Sequence, residues 1–371
     1  MVHYKGRVVR IVSDLPYGGV ERRLLTLLPL LREAGWDASV ACIRVAGEMA
    51  PLFEAQGIPV EVLPFSSRWS PSSLRRLARR FREMRVDVVH THMYRCNTSG
   101  VVAAKLAGVP LVVANVHNVD EWDDRRQLFM ERRLARLKDI IIAVSERVRQ
   151  NYLQRTGISP TRVVTLHNGI DLSPFGPHAS NPHLRSELGI KAGEKVVSII
   201  ARLVQQKRHT DFLEMAAQVR DRVPQARFIV VGQGKLRSEL ERRAAELGLG
   251  DRVVFTGHRN DIPALLAMTD VFVMCSEREG FSNALLEAMA SGAPIVSTDA
   301  GGASEAVVDG ESGFILPIGR PDLVAERVTS LLADANLSRR VRLAARERVS
   351  LFSVDRMCQA TDLLYEKMLG R

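Results

Sequence analysis

Hydrophobic positions along this chain fall into short β-branched runs, separated by stretches where apolar residues recur every three or four places. The runs are "RVVRIVS" (7–13), "DASVACI" (37–43), "VDVVHTH" (86–92), "PLVVANVH" (110–117), "DIIIAVS" (139–145) and "RVVTLHN" (162–168). Such runs predict strands buried on both faces, and the helical spacing at 20–34, 97–107 and 126–137 predicts helices between them. Alternation of this kind builds a parallel sheet with helices on both sides. The segment "DLSPFGPHASNPH" (171–183) breaks the pattern and reads as a linker. The rhythm restarts with "KVVSIIA" (195–201), "ARFIVVG" (226–232), "RVVFTG" (252–257), "DVFVMCS" (270–276) and "PIVSTD" (294–299), and the chain ends in helical patterns. The expectation is an α/β protein of two parallel-sheet domains, 1–172 and 190–350. A linker at 173–189 joins them, and a last helical segment, 351–371, packs on the first domain.

Composition narrows the class. The chain has 371 residues, 46% apolar and 25% charged, enough for a core in each of two domains. Cys42, Cys96, Cys275 and Cys358 are far apart and form no C-x-x-C, so neither a zinc site nor a disulfide framework is implied. No secretory signal or spanning apolar run is legible, which points to a cytoplasmic protein. The net charge of +10 is lopsided: residues 1–170 hold 26 Lys and Arg against 16 Asp and Glu, and residues 171–371 hold 26 of each. An anionic partner is therefore expected of the first half alone.

In open parallel sheets, ligands bind where strands end and loops enter helices. Two groups of polar residues lie there in the second half. Arg202 and Lys207, in "ARLVQQKRHTDFLEM", follow the strand at 195–201 and suit an anion such as a diphosphate. Glu279 follows the strand at 270–276, and "NALLEAMASG" (283–292) is a strong helix with Glu287 one turn inside it. The amides of Gly280, Phe281, Ser282 and Asn283 would lie at that helix's N-terminus, where unpaired N–H groups favour negative charge. Each group also has a plainer reading: cations in a solvated loop, and acidic residues placed by the helix dipole.

Taken together, "SEREGFSNALLEAMASGAPIVSTDAGGASEAVVDGESGFILP", Arg202 with Lys207, "NGID" (168–171) and "GG" (18–19) resemble glycosyltransferase family 4, the retaining GT-B transferases. Glu279 and Glu287 match that family's E-x7-E pattern, and Ala201 stands where a glycine is common. The resemblance covers essentially the whole chain. It implies two Rossmann-like domains facing a central cleft, and transfer of a hexose-type sugar from a UDP- or GDP-sugar to a glycan, lipid-linked or small-molecule acceptor. It also assigns roles. Arg202, Lys207, Glu279 and His117 would form the catalytic group. Glu287 would hold the donor ribose and Glu279 the donor sugar. Gly18, Gly19, His258, Arg259, Gly280, Phe281, Ser282 and Asn283 would complete the donor site, with Ser282 in place of a common glycine. His92, Glu21 and Asn118 are the candidates for the acceptor side. His90 and His92 alternate by two and share one strand face, a poor metal site without a third ligand. No two aspartates are separated by a single residue, so the acidic metal device of other transferases is absent and no metal or cofactor is expected.

Two segments of the first half, 70–85 and 125–138, are amphipathic and rich in arginine. They read as helices docked on a sheet with solvated basic rims, or as sites for anionic lipid headgroups at the inner face of a membrane. No aromatic platform or fold signature supports nucleic acid as a partner. The competing readings of the whole chain are a GT-B-fold epimerase or hydrolase, and a nucleotide-sugar or polyanion binding protein without turnover.

Overall fold

The computed structural model describes residues 4–67, 69–118, 124–176 and 179–371. It divides into two compact units, Met1–Asp171 with Ser353–Arg371, and Leu172–Phe352.

The first unit is built on β1 (Gly6–Val12), β2 (Trp36–Cys42), β3 (Val60–Val62), β4 (Val88–His92), β5 (Leu111–Val116), β6 (Ile140–Ala143) and β7 (Val163–Thr165). All pair in parallel, in the order β3-β2-β1-β4-β5-β6-β7. Between them run α1 (Gly19–Glu33), α2 (Ala50–Ala55), α3 (Pro71–Met84), α4 (Met93–Ala107), α5 (Arg125–Leu134) and α6 (Glu146–Thr156). Because side chains alternate along a strand, the sheet has two distinct cores. Val8, Val12, Val88 and Val113 pack on one face with Leu24, Leu28 and Phe53; Val9, Ile11, Val89 and Val112 pack on the other with Leu77, Phe81 and Val101.

The second unit holds α7 (Leu184–Glu187), β8 (Lys195–Ile200), α8 (His209–Arg222), β9 (Ala226–Val231), α9 (Arg237–Glu246), β10 (Val253–Gly257), α10 (Ile262–Ala267), β11 (Val271–Met274), α11 (Asn283–Ser291), β12 (Ile295–Thr298), α12 (Ala303–Ala306), β13 (Phe314–Leu316), α13 (Pro321–Ala333) and α14 (Ala335–Arg348). Its parallel sheet runs β10-β9-β8-β11-β12-β13. Counted within the unit this is the 3-2-1-4-5-6 order of a doubly wound dinucleotide fold, with its switch point between β8 and β11.

The last helix, α15 (Val354–Leu369), closes the first unit. Lys5 bridges Asp362 at 2.9 Å and Glu366 at 2.8 Å, and the Trp36 indole N–H donates to Asp362 at 2.8 Å. Tyr365 is fully buried edge-on to Trp36, ring centroids 5.4 Å apart. The outgoing and returning chain run side by side: Val354 N donates to Ile170 O at 2.8 Å, and a Cβ on Gly169 would overlap the Ser353 carbonyl. Glycine at that place is a steric requirement.

The long elements match the hydrophobic pattern, whereas the edge strands β3 and β13 carried no legible signal at three residues each. The segment read as linker contains α7, whose Leu184 is buried.

Candidate functional site

The loops after β8 and β11 meet at the switch point of the second unit. Glu277 N donates to Gln206 O at 2.9 Å, and the Gln206 side-chain amide donates to Arg278 O at 2.5 Å. These bonds bring Lys207 against Glu279, and the two form an ion pair. Ser276 Oγ also donates to Glu279, at 2.7 Å. Both side chains are largely buried, so their mutual attraction is weakly screened. Arg202, two residues past β8 in the same loop as Lys207, is exposed, and among the described residues its guanidinium has no ion-pair partner.

Glycines set this geometry at the backbone. Gly301 (φ +57°) lies where a Cβ would overlap the Glu279 carbonyl, and Gly302 N donates to Gly280 O at 2.9 Å. The loop after β12 therefore clamps the Glu279–Gly280 segment in a way only glycine permits. Likewise Gly232 (φ +138°) lets the loop after β9 touch the Ala201 carbonyl.

α11 begins at Asn283 with Ser282 as its N-cap, the Ser282 hydroxyl accepting from Leu285 N at 3.4 Å. That role fixes the serine as a helix starter. Phe281 is buried against Phe352, ring centroids 5.1 Å apart, anchoring the approach to the helix. Along α11, Leu285, Leu286, Ala288, Met289 and Ala290 are buried, while Asn283, Ala284 and Glu287 share the accessible side. His258 and Arg259 follow β10, two strands from β8, tied in through Gly232 N to Gly257 O at 2.8 Å. His258 is exposed, and Arg259 is locked to Asp261 and Glu187, both at 2.6 Å.

The other candidates lie in the first unit. Gly18 is the N-cap of α1, and a Cβ on it would overlap the Glu21 carboxylate, so Glu21 folds back over its own helix start next to Gly19. His117 is half-buried at the end of β5, beside Asn118. His92 was expected on the acceptor side, but it is 1% exposed and its ring lies between His90 and His117, with centroids at 4.8 and 5.3 Å. It is covered by its neighbours and supports His117 from behind. Its Nδ1 is 3.1 Å from His117 Nε2. Burial lowers the pKa of all three histidines well below the ordinary imidazole value, and the charges of Arg10 and Arg23 lower it further, so they are neutral.

Residues 180–348 match the family model "Glycosyl transferases group 1", and residues 17–174 match "Glycosyltransferase Family 4". The chain belongs to the group 1, family 4 glycosyltransferases. Over its entire length it is 26% identical to the UDP-Gal:alpha-D-GlcNAc-diphosphoundecaprenol alpha-1,3-galactosyltransferase of Escherichia coli, covering 99% of that protein. It is 30% identical to a D-inositol 3-phosphate glycosyltransferase of Salinispora arenicola, over 73% of this chain and 66% of that one. The crystal structure of Anabaena HepE in complex with UDP and glucose superposes with a TM-score of 0.88 at 25% identity, covering 98% of this chain and all of the other. This family 4 chain is thus a GT-B transferase that uses a nucleotide sugar. Its relatives act on lipid-linked or small-molecule acceptors. No helix among the described residues is long and apolar enough to cross a membrane.

Sequence reading passed over Gln206, which joins the two loops, Ser276 and Gly301, which hold Glu279 by its side chain and its backbone, and Arg10 and Arg23, which lie behind His117. For the first three no periodic signal exists. The two arginines did leave one: Arg10 interrupts an apolar strand face, and Arg23 falls one turn before Leu27 on the buried side of α1.

Proposed function

We propose that this transferase moves a hexose from a uridine or guanosine diphosphate sugar to a lipid-linked, glycan or small-molecule acceptor, with retention of anomeric configuration and no metal requirement. The observation that carries this reading is the Lys207–Glu279 pair at the switch point, in the loops that also carry Arg202 and lead into α11. Breaking the sugar–phosphate bond leaves an anionic diphosphate, and preorganised positive charge lowers that barrier. Glu279 pairs with Lys207. An arriving diphosphate competes for the lysine, while Glu279 turns to hydroxyls of the sugar and Glu287 to those of the ribose. Gly280, Phe281, Ser282 and Asn283 offer main-chain contacts, and the backbone near His258 and Arg259 borders the base. In the first unit, Gly18, Gly19 and His117 are donor contacts, and Glu21 and Asn118 acceptor contacts. The galactosyltransferase relative and the UDP complex of HepE support a uridine donor, and a GDP-mannose-dependent mannosyltransferase relative supports a guanosine one.

A panel of nucleotide sugars with EDTA present tests this. The reading expects UDP or GDP to raise the melting temperature, turnover to survive chelation, and the product anomer to match the donor. Inverted product, or activity restored only by a divalent cation, would overturn the corresponding part. Turnover without any acceptor would favour the epimerase or hydrolase reading instead.

The basic helices support a peripheral contact with anionic lipid. Arg75, Arg76, Arg79 and Arg82 of α3 are exposed, and around α5 Arg125, Arg126, Arg132 and Arg133 surround Phe129, which is 56% exposed. Co-sedimentation with phosphatidylglycerol vesicles, lost at high salt, is the expected result; equal pelleting with neutral vesicles would count against it.

A further inference from the structure

One face of the first sheet breaks its own apolar rule. Val8 and Val12 on β1, Val88 on β4, and Leu111 and Val113 on β5 are core residues, yet Arg10, His90, His92 and Asn115 lie among them, with Arg10 in register beside His90. α1 adds Arg23 and α15 adds Thr361 and Tyr365. Arg10, Arg23, His90, His92, Asn115 and Asn168 line a cavity of about 20 Å³, room for one water-sized body.

The polar groups around it do not balance. His90 is complete: Tyr365 OH donates to its Nδ1 at 2.6 Å, and its Nε2 donates to Asn115. The remaining chain runs from Arg10 Nη1 to His92 Nε2 at 3.4 Å, from His92 Nδ1 to His117 Nε2 at 3.1 Å, and from His117 Nδ1 to Arg23 Nη2 at 3.4 Å. Both ends are arginines, which only donate. If both outer imidazole nitrogens accept, the two inner ones each carry a proton and face one another. Two neutral imidazoles therefore cannot satisfy all three contacts; the row has one donor too many. Arg10 Nε and Nη2 are buried with no hydrogen-bond partner. The charge does not balance either: two guanidinium groups are buried, no ion pair to Arg10 or Arg23 occurs among the described residues, and Glu21 reaches Arg23 through its field without an ion pair. Burial pushes Arg23 down to about 10, still high enough to keep its proton near neutrality.

We propose that this cavity is a resident site for one small monovalent anion of the chloride class, held by Arg10 and facing Arg23. An anion supplies the missing acceptor and the missing charge together. With Arg10 and His92 Nε2–H donating to it, His92 Nδ1 accepts from His117 Nε2–H, and His117 Nδ1 accepts from Arg23. Every contact then has one donor and one acceptor, and the His117 ring is held in a single tautomer. A cation is excluded by the two arginines, and a phosphate by the volume. That the anion thereby sets the His117 ring toward the donor rests on the transferase reading; the site itself does not.

The test uses the full chain purified in gluconate buffer and needs no substrate. Chloride and bromide should raise the melting temperature by several degrees, saturably, over sodium gluconate of equal ionic strength. Arg10→Met should abolish the difference. Crystals grown in bromide should show an anomalous peak within hydrogen-bonding distance of the Arg10 guanidinium in the unaltered protein, which guards against a variant that fails to fold. Melting curves identical in halide and gluconate, or an anomalous map empty at Arg10, would overturn the proposal and leave a water in the cavity. Loss of the donor site, read by nucleotide binding, would leave both measurements untouched.

Discussion

The two units each bury positive charge near a strand end, and they handle it differently. In the second, Lys207 meets Glu279, and Ser276 supports the carboxylate. In the first, Arg10 and Arg23 meet imidazoles and amides that cannot neutralise them. A paired lysine can exchange one anion for another, which suits a substrate that comes and goes. Buried arginines without carboxylates suit an anion that stays. On the two proposals above, the difference separates an exchangeable site from a resident one where the residue types alone do not.

The largest expected effect falls on the exchangeable pair. Lys207→Ala should lower kcat about a hundred- to a thousand-fold, the usual cost of losing one preorganised electrostatic contact. Steady-state kinetics under saturating donor would show this, and a loss below tenfold would mean the pair is structural. Acidification should next distinguish the units. His90, His92 and His117 are held neutral in the folded chain, so the unfolded chain gains protons first as pH falls. Their contribution is complete above pH ~6.5 and is lost progressively below it. The second unit has His209, buried without a hydrogen-bond partner and pushed down to about 4. Its share, on the order of 3 kcal/mol, disappears between about pH 6.5 and 4. All three tryptophans lie in residues 1–171, so their fluorescence reports the first unit. It should change at a higher pH than the amide exchange of β8 and β11; the reverse order would contradict the comparison.

Gly301→Ala should destabilise by about 1–3 kcal/mol from its positive φ alone. Displacement of Glu279 should raise the donor KM as well. Thermal melting with donor titration checks both, and an unchanged KM would show that the glycine clamp does not set the site. The smallest effect is at the cap. Ser282→Ala should cost about 1 kcal/mol of stability and Ser282→Gly only a few tenths. A change of donor preference in Ser282→Gly would show that the side chain does more than start α11.

Much of the fold was legible because buried parallel strands are long apolar runs. β1, β4 and β8 announce themselves, as do the helices with a continuous apolar stripe. The places of Glu279, Arg202 and Lys207 in loops after strands, and of Glu287 one turn inside a helix, were legible as local pattern. His92 was not: its place on a strand face could be read, but not which helices would cover that face. The sequence by itself determined two doubly wound sheets and the positions where chemistry could be presented, because strand periodicity and loop polarity are local properties. The tertiary structure decided which charges meet. The Lys207–Glu279 pair joins positions 72 residues apart, and Tyr365 reaches His90 across 275. No local pattern carries such contacts; they exist only once a sheet sets its strand order and a last helix returns to cover it.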